Sequence, residues 1–166
     1  MTDTISTENA SQTDHHTYFH CSGTSLAVGA IINPGNWGRM LQLYEAQPNA
    51  GLPTNVFREA LMEQARLIYA PTKVSRLAAI FAMPSLEDAV AFRNQYQPTN
   101  IIYEVQPTDP SAPPTIGDYA FAVASYPPKY FNAMFDYARR YWVDAPHQVE
   151  MLFSCPLRVV AIANVP

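Results

Sequence analysis

The chain is short of cysteine, of charge and of long hydrophobic runs, and each shortage excludes something. Its two cysteines, Cys21 and Cys155, are too few for a disulfide framework. Both fall in strand-like segments and read as buried free thiols. No apolar run approaches the ~20 residues needed to span a bilayer, so no membrane partner is expected. Charged residues make up 14% of the 166, below the usual share of about a quarter. The net charge of -4 supplies no cationic footprint for nonspecific nucleic-acid binding. There is no glycine-rich nucleotide loop and no regular strand–helix–strand alternation, which argues against a doubly wound dinucleotide fold. The first residues are polar and lack the basic-then-apolar signature of a signal peptide, so a cytoplasmic location is the default expectation.

What remains is apolar enough to fold. Hydrophobic residues are 48% of the chain, and a chain of this length buries roughly 70% of its unfolded surface as one domain. Residues 1–16 read as a flexible leader and residues 17–166 as a single domain. Tyr18 to Cys21 is a short aromatic strand ending in the turn Ser22-Gly23-Thr24. Asn33-Pro34-Gly35-Asn36 is a strong turn signal, followed by a short helix over Arg39 to Ala46. Asn49 to Thr54 is a loop. Val56 to Tyr69 carries the clearest helical spacing, with Val56, Ala60, Leu61, Leu67 and Ile68 apolar and Arg58, Glu59, Glu63 and Arg66 polar.

Ala79 to Met83 reads as a buried strand. Ser85 is placed to cap the next helix, with Asp88 at the third helical position, and that helix runs to about Tyr96. Ile101 to Gln106 is a strand, Pro107 to Pro114 a rigid loop, and Asp118 to Ser125 a further strand. Tyr126-Pro127-Pro128 turns the chain into a helix over Lys129 to Trp142, whose aromatic residues, Tyr141 and Trp142 among them, read as helix–sheet core. Val149 to Phe153 and Leu157 to Asn164 are closing strands. The order of short strands and helices predicts an α+β fold.

Two chemical possibilities are weak. His15, His16, His20 and Cys21 match no standard zinc spacing, so no metal is expected. A Cys21–His147 nucleophilic pair lacks any local signature and requires an unusually exposed thiol. Stronger is the position of two polar residues in apolar strands. His20 interrupts Tyr18-Phe19-His20-Cys21, and Glu150 sits at the mouth of Glu150-Met151-Leu152-Phe153, where a charge is costly without a partner or a task.

These residues carry a resemblance. Tyr18 to Gly29, with His20, Gly23 and Thr24, resembles the Tyr-His-Gly-Thr strand and turn that opens rifampin ADP-ribosyltransferases, with Cys21 and Ser22 intervening before Gly23. Phe81 to Ala89 is similar to that family's second motif, with Phe81 where the family has tyrosine. Ile102 to Thr108 is similar to its third stretch. Pro71 to Leu77, with Ser75 and Arg76, resembles the Pro-Ser-Arg-Leu element of uncharacterised bacterial proteins with an ADP-ribosyltransferase-like fold. So do the helix end Ala138-Arg139-Arg140-Tyr141-Trp142 and the closing Glu150-Met151-Leu152. The likenesses run in order from about Tyr18 to Val160.

The resemblance implies an ADP-ribosyltransferase-like split β-sheet core with flanking helices and NAD as substrate. It implies Glu150 as the carboxylate that stabilises charge on the ribose, with Gln148 beside it. The pair resembles the Gln-x-Glu acceptor-orienting motif of some protein-modifying toxins, which have an arginine where this chain has His20. It implies His20, Gly23, Thr24, Ser75, Arg76 and Phe81 around the cofactor: His20 on a hydroxyl of the adenosine-side ribose, Phe81 against nicotinamide, Arg76 on a phosphate. The implied function is mono-ADP-ribosyl transfer to a protein or RNA acceptor, as a bacterial toxin, delivered effector or toxin–antitoxin component with an antitoxin or immunity partner. An NAD glycohydrolase and a catalytically inactive binding module on the same fold are the alternatives.

Overall fold

The computed structural model describes residues 16–45, 53–123 and 130–165. In chain order these form β1 (Tyr18–Ser22), β2 (Ile31–Ile32), α1 (Asn36–Gln42), α2 (Thr54–Tyr69), a 3-10 turn (Arg76–Ala78), β3 (Ile80–Ala82), α3 (Leu86–Tyr96), β4 (Ile101–Pro107), β5 (Thr115–Asp118), α4 (Tyr119–Val123), α5 (Tyr130–Val143), β6 (Val149–Phe153) and β7 (Leu157–Ile162). The fold is α+β, as the order of elements predicts. The leader as far as His15, the Asn49 to Leu52 part of the first loop and the Tyr126-Pro127-Pro128 turn lie outside the described residues.

The strands make two antiparallel sheets, ordered β1-β4-β7-β2 and β3-β6-β5. Among the described residues one backbone bridge joins the sheets: Phe19 N donates to Met83 O at 3.0 Å, and Met83 N to Phe19 O at 2.7 Å. The region beside that stitch, between β1 and β3, is the fork.

Strand alternation divides the core between the two sides of the smaller sheet. On one side Leu152, with Phe81 packed against it, meets Met62, Ala65, Ala138, Tyr141 and Trp142 from α2 and α5. On the other, Ile80, Ala82 and Phe153 meet Val105, Leu157 and Val159 of the larger sheet. Glu150 is two residues from Leu152 and therefore shares the helix-facing side. A third cluster sets Ala89 of α3 against Ile102 and Tyr119. α2 turns Glu59, Met62 and Ala65 inward and exposes Ala60, Leu67 and Ile68, so the face it buries is not the apolar set read from its spacing.

Local signals explain most boundaries. Ser85 caps α3: its Oγ accepts from Asp88 N at 3.1 Å and donates to Asp88 Oδ2 at 2.6 Å. α1 begins earlier than the sequence suggests because the turn ends on Gly35, whose φ of 86° suits glycine. It also sits close to the 3-10 turn: a Cβ on Gly38 would lie 2.2 Å from Leu77 O.

One expectation fails. The segment from Asp118 was expected to be a strand, but Asp118 ends β5 and the chain turns into α4. Tyr119, Phe121 and Val123 alternate at the strand period, which misleads. The buried Asp118 carboxylate decides the matter by accepting from the backbone N–H groups of Ala120 (3.0 Å), His147 (2.8 Å) and Gln148 (3.3 Å). Side-chain capping thus overrides an alternating pattern.

Gly117 in β5 pairs with Glu150 and faces the Tyr141 ring; a Cβ there would lie 2.2 Å from Tyr141 Cζ. Gly117→Ala is therefore expected to destabilise the fold by about 1–3 kcal/mol through overpacking. Urea denaturation measures this, and unchanged stability would show that Tyr141 is free to move aside.

Candidate active site at the fork

Four elements converge on one guanidinium. Arg76, at the start of the 3-10 turn, is 7% exposed, and its partners Glu59 of α2 and Glu150 of β6 are 1% and 4% exposed. Arg76 Nε donates to Glu59 Oε2 at 2.9 Å and Nη2 to Glu59 Oε1 at 3.3 Å, a forked contact. Its Nη1 donates to Glu150 Oε1 and, at 2.8 Å, to the Tyr141 hydroxyl. The guanidinium lies over the rings of Phe81, at 4.7 Å, and Tyr141, at 4.8 Å. Burial opposes the charge on Arg76, but the Glu150 and Glu59 carboxylates outweigh it and hold its pKa above the ordinary value. Burial likewise pushes Glu59 upward, and the pull of Arg76, aided by Arg58, leaves it below the ordinary carboxylate value. Burial drives the Tyr141 hydroxyl well above its usual range, so it stays protonated.

His20, on β1, follows Phe19 of the stitch. Its Nδ1 is 2.7 Å from Phe81 O. A carbonyl only accepts, so Nδ1 carries the proton. Burial lowers the pKa of the imidazole, against a smaller upward pull from the Phe81 carbonyl. The ring is therefore neutral at pH 7 and keeps a lone pair on Nε2, available to accept a hydrogen bond.

His20, Arg76, Phe81 and Glu150 line a single cavity of about 200 Å³, together with Trp37 and Arg58. Residues from opposite ends of the chain thus meet, as the candidate set requires. The remaining candidates lie elsewhere. Gly23 and Thr24 are exposed in the turn after β1. Ser75 caps the 3-10 turn, accepting from Leu77 N at 3.2 Å and donating to Glu63 Oε2 at 2.7 Å. Gln148 precedes β6, and its backbone bonds to Asp118 and Tyr119. None of these four lines the cavity. Arg76 was expected to hold a phosphate, but its N–H groups are directed to two carboxylates and a phenol.

Three residues at or beside the cavity escape a reading of the sequence. Glu59 looks like part of the polar face of α2, yet it is three residues from Met62 and six from Ala65, which places all three on the buried side. That spacing is the signal that would have found it. Trp37 and Arg58 reach the cavity only because α1 and α2 flank the turn that carries Arg76. Cys21 also lines it, but burial pushes its thiol up to about 11. That excludes a thiolate nucleophile at neutral pH. His147, its suggested partner, sits 3.5 Å from Asp118 with an 82% exposed side chain.

No family model matches the chain, and a search of curated proteins finds no match either.

The buried cluster makes stability depend on acid in a defined direction. The Glu59 carboxylate is held below its ordinary 4.5, so its contribution is complete above that pH and is lost as pH falls through the lower folded value. Glu59→Gln is expected to cost about 1.5–3 kcal/mol at pH 7, because Arg76 keeps Glu150 but loses its forked charge-assisted contact, and to flatten the fall in unfolding free energy below about pH 4.5. Urea titrations from pH 3 to 7 test this; parallel curves for the two proteins would contradict the assignment.

Proposed function

We propose that this chain binds NAD at the fork and transfers its ADP-ribosyl group to a protein or RNA acceptor, on an ADP-ribosyltransferase-like split-sheet scaffold. The observation that carries the reading is the convergence of His20, Phe81 and Glu150 on one cavity beside the junction of the two sheets. The cavity is smaller than the ~300–1,000 Å³ of typical ligand pockets, so it takes the nicotinamide–ribose end and leaves the adenosine end outside.

Each residue then has a role. The nicotinamide ring stacks on the face of Phe81 not covered by Arg76. The His20 Nε2 lone pair accepts from a hydroxyl of the nicotinamide-side ribose, in place of the adenosine-side ribose that the resemblance implies, and orients the sugar. The bond between the ribose anomeric carbon and the nicotinamide nitrogen breaks, its electron pair leaves with nicotinamide, and positive charge develops on the sugar. The Glu150 carboxylate stabilises that charge. At ~4 Å and an effective dielectric of ~20, such a pair is worth ~4 kcal/mol, roughly a thousandfold in rate. The acceptor then donates an electron pair to the anomeric carbon and releases a proton. With water as acceptor the same steps give an NAD glycohydrolase. A toxin or effector role, with an antitoxin or immunity partner to restrain it, fits such an activity.

A second reading has an observation in its favour. Arg76 already opposes the charge of Glu150 before any substrate arrives, and phenylalanine stands where the resembled family has tyrosine. Both features suit a module that binds NAD without turning it over.

Labelled NAD incubated with the protein and fractionated bacterial lysate distinguishes these readings. The proposal expects nicotinamide release with label on a macromolecule. It also expects kcat to fall by at most about a thousandfold in Glu150→Gln, since Arg76 offsets part of that carboxylate's charge, and KM to rise about tenfold in His20→Ala, the loss of one hydrogen bond to a ribose hydroxyl. Glu150→Gln removes one member of a buried ion pair, so thermal melting must show that the variant is folded at the assay temperature. Release without label favours hydrolysis, and NAD-dependent thermal stabilisation without release favours the binding module. Neither binding nor release would contradict all three.

A further inference from the structure

The cavity holds donors that the Arg76 cluster leaves over. Arg58, on α2, has a side chain 20% exposed, and its contact with Glu59 is long, 3.4 Å from Nη2 to Oε1. Charge-assisted bonds of this kind are normally near 2.7–2.9 Å, and Arg76 already grips that carboxylate through two nitrogens. The Arg58 Nε–H is buried with no acceptor. On α1, the Trp37 indole N–H is also buried; it lies beside the Glu59 carboxylate and helps to lower its pKa, but makes no hydrogen bond of full geometry to it.

Guanidinium and indole groups only donate, and buried donors without acceptors are rare in folded proteins. Among the described residues, three buried side-chain polar atoms lack a partner. Two of them are these donors, and both residues line the same cavity as His20 and Glu150. What would satisfy them is a ligand rich in acceptor oxygens and carrying negative charge.

We propose that Arg58 and Trp37 form an anion subsite for a phosphate ester, and that Arg58, in place of Arg76, grips the phosphate next to the nicotinamide-side ribose. The assignment to that phosphate rests on the NAD reading; the anion subsite itself does not. Arg58 is suited to the task because Glu59 stays paired with Arg76 when Arg58 turns to a ligand. Its planar fork matches two phosphate oxygens, and the indole N–H supplies a further donor.

Isothermal titration of the full chain with ADP-ribose, inorganic pyrophosphate and nicotinamide tests the subsite. Arg58→Gln is expected to weaken ADP-ribose binding at least about tenfold, with Trp37→Phe weakening it about threefold through loss of one N–H. Nicotinamide, which has no phosphate, is expected to bind wild type and Arg58→Gln alike, and pyrophosphate to compete with ADP-ribose. Arg58→Lys keeps the charge without the fork and is expected to fall between wild type and Arg58→Gln. It also serves as the test should the glutamine variant fail to fold.

Pyrophosphate binding that is lost in Arg58→Gln, with no affinity of wild type for ADP-ribose or NAD, would uphold the anion subsite and remove the NAD reading. Folded Arg58 and Trp37 variants that bind ADP-ribose as tightly as wild type would overturn the subsite while leaving the NAD reading in place. A wild-type protein that binds neither anion would also overturn it.

Discussion

The pairing of Arg76 with Glu59 and Glu150 constrains everything around it. Three charges are removed from water in one place, which costs several kcal/mol per ion unless geometry and hydrogen bonds compensate. Compensation comes from a forked contact to α2, contacts to β6 and Tyr141, and two aromatic rings over the guanidinium. The cluster therefore fixes α2, the 3-10 turn, β6 and α5 relative to one another. Gly117 belongs to the same arrangement, since its missing side chain makes room for the ring whose hydroxyl meets Arg76. Removing Arg76 leaves two buried carboxylates unopposed, whereas removing either carboxylate leaves Arg76 with the other.

The same cluster sets the chemistry available at the fork. Arg76 is oriented by two carboxylates and is poorly placed to serve an incoming phosphate. Glu150 faces the cavity but carries its counter-charge with it, so its electrostatic effect on a bound sugar is smaller than that of a lone carboxylate. His20 is neutral, with its proton committed to the Phe81 carbonyl, and acts as an acceptor. Arg58 and Trp37 retain buried donors that make no hydrogen bond of full geometry. A neutral acceptor, a buried carboxylate and spare cationic donors within one small cavity suit a polar ligand with both hydroxyl and anionic groups.

Much of this was legible in the residues. Polar side chains in apolar strands marked His20 and Glu150. The helical spacing after Val56 located α2, and Ser85 with Asp88 located the start of α3. What escaped was tertiary. Glu59 is unremarkable on a helix until the facing side of β6 is known. Gln148 appeared to share a strand face with Glu150, but the strand begins at Val149, because the Asp118 carboxylate binds the backbone of His147 and Gln148. The same carboxylate turned an expected strand into α4. No local pattern reveals that the strands fall into two sheets joined at Phe19 and Met83, because that division depends on pairings between distant segments.

The central claim is that a ligand enters the fork and bonds to the unprotonated nitrogen of His20. Long-range proton–nitrogen NMR of the imidazole, with NAD titrated into the protein, tests it most directly. The account predicts a neutral Nδ1–H tautomer at pH 7 and a saturable shift of the Nε2 resonance toward a hydrogen-bonded acceptor, with Nδ1 unchanged. An imidazolium signal in the free protein, or an Nε2 resonance that stays put at millimolar NAD, would contradict it.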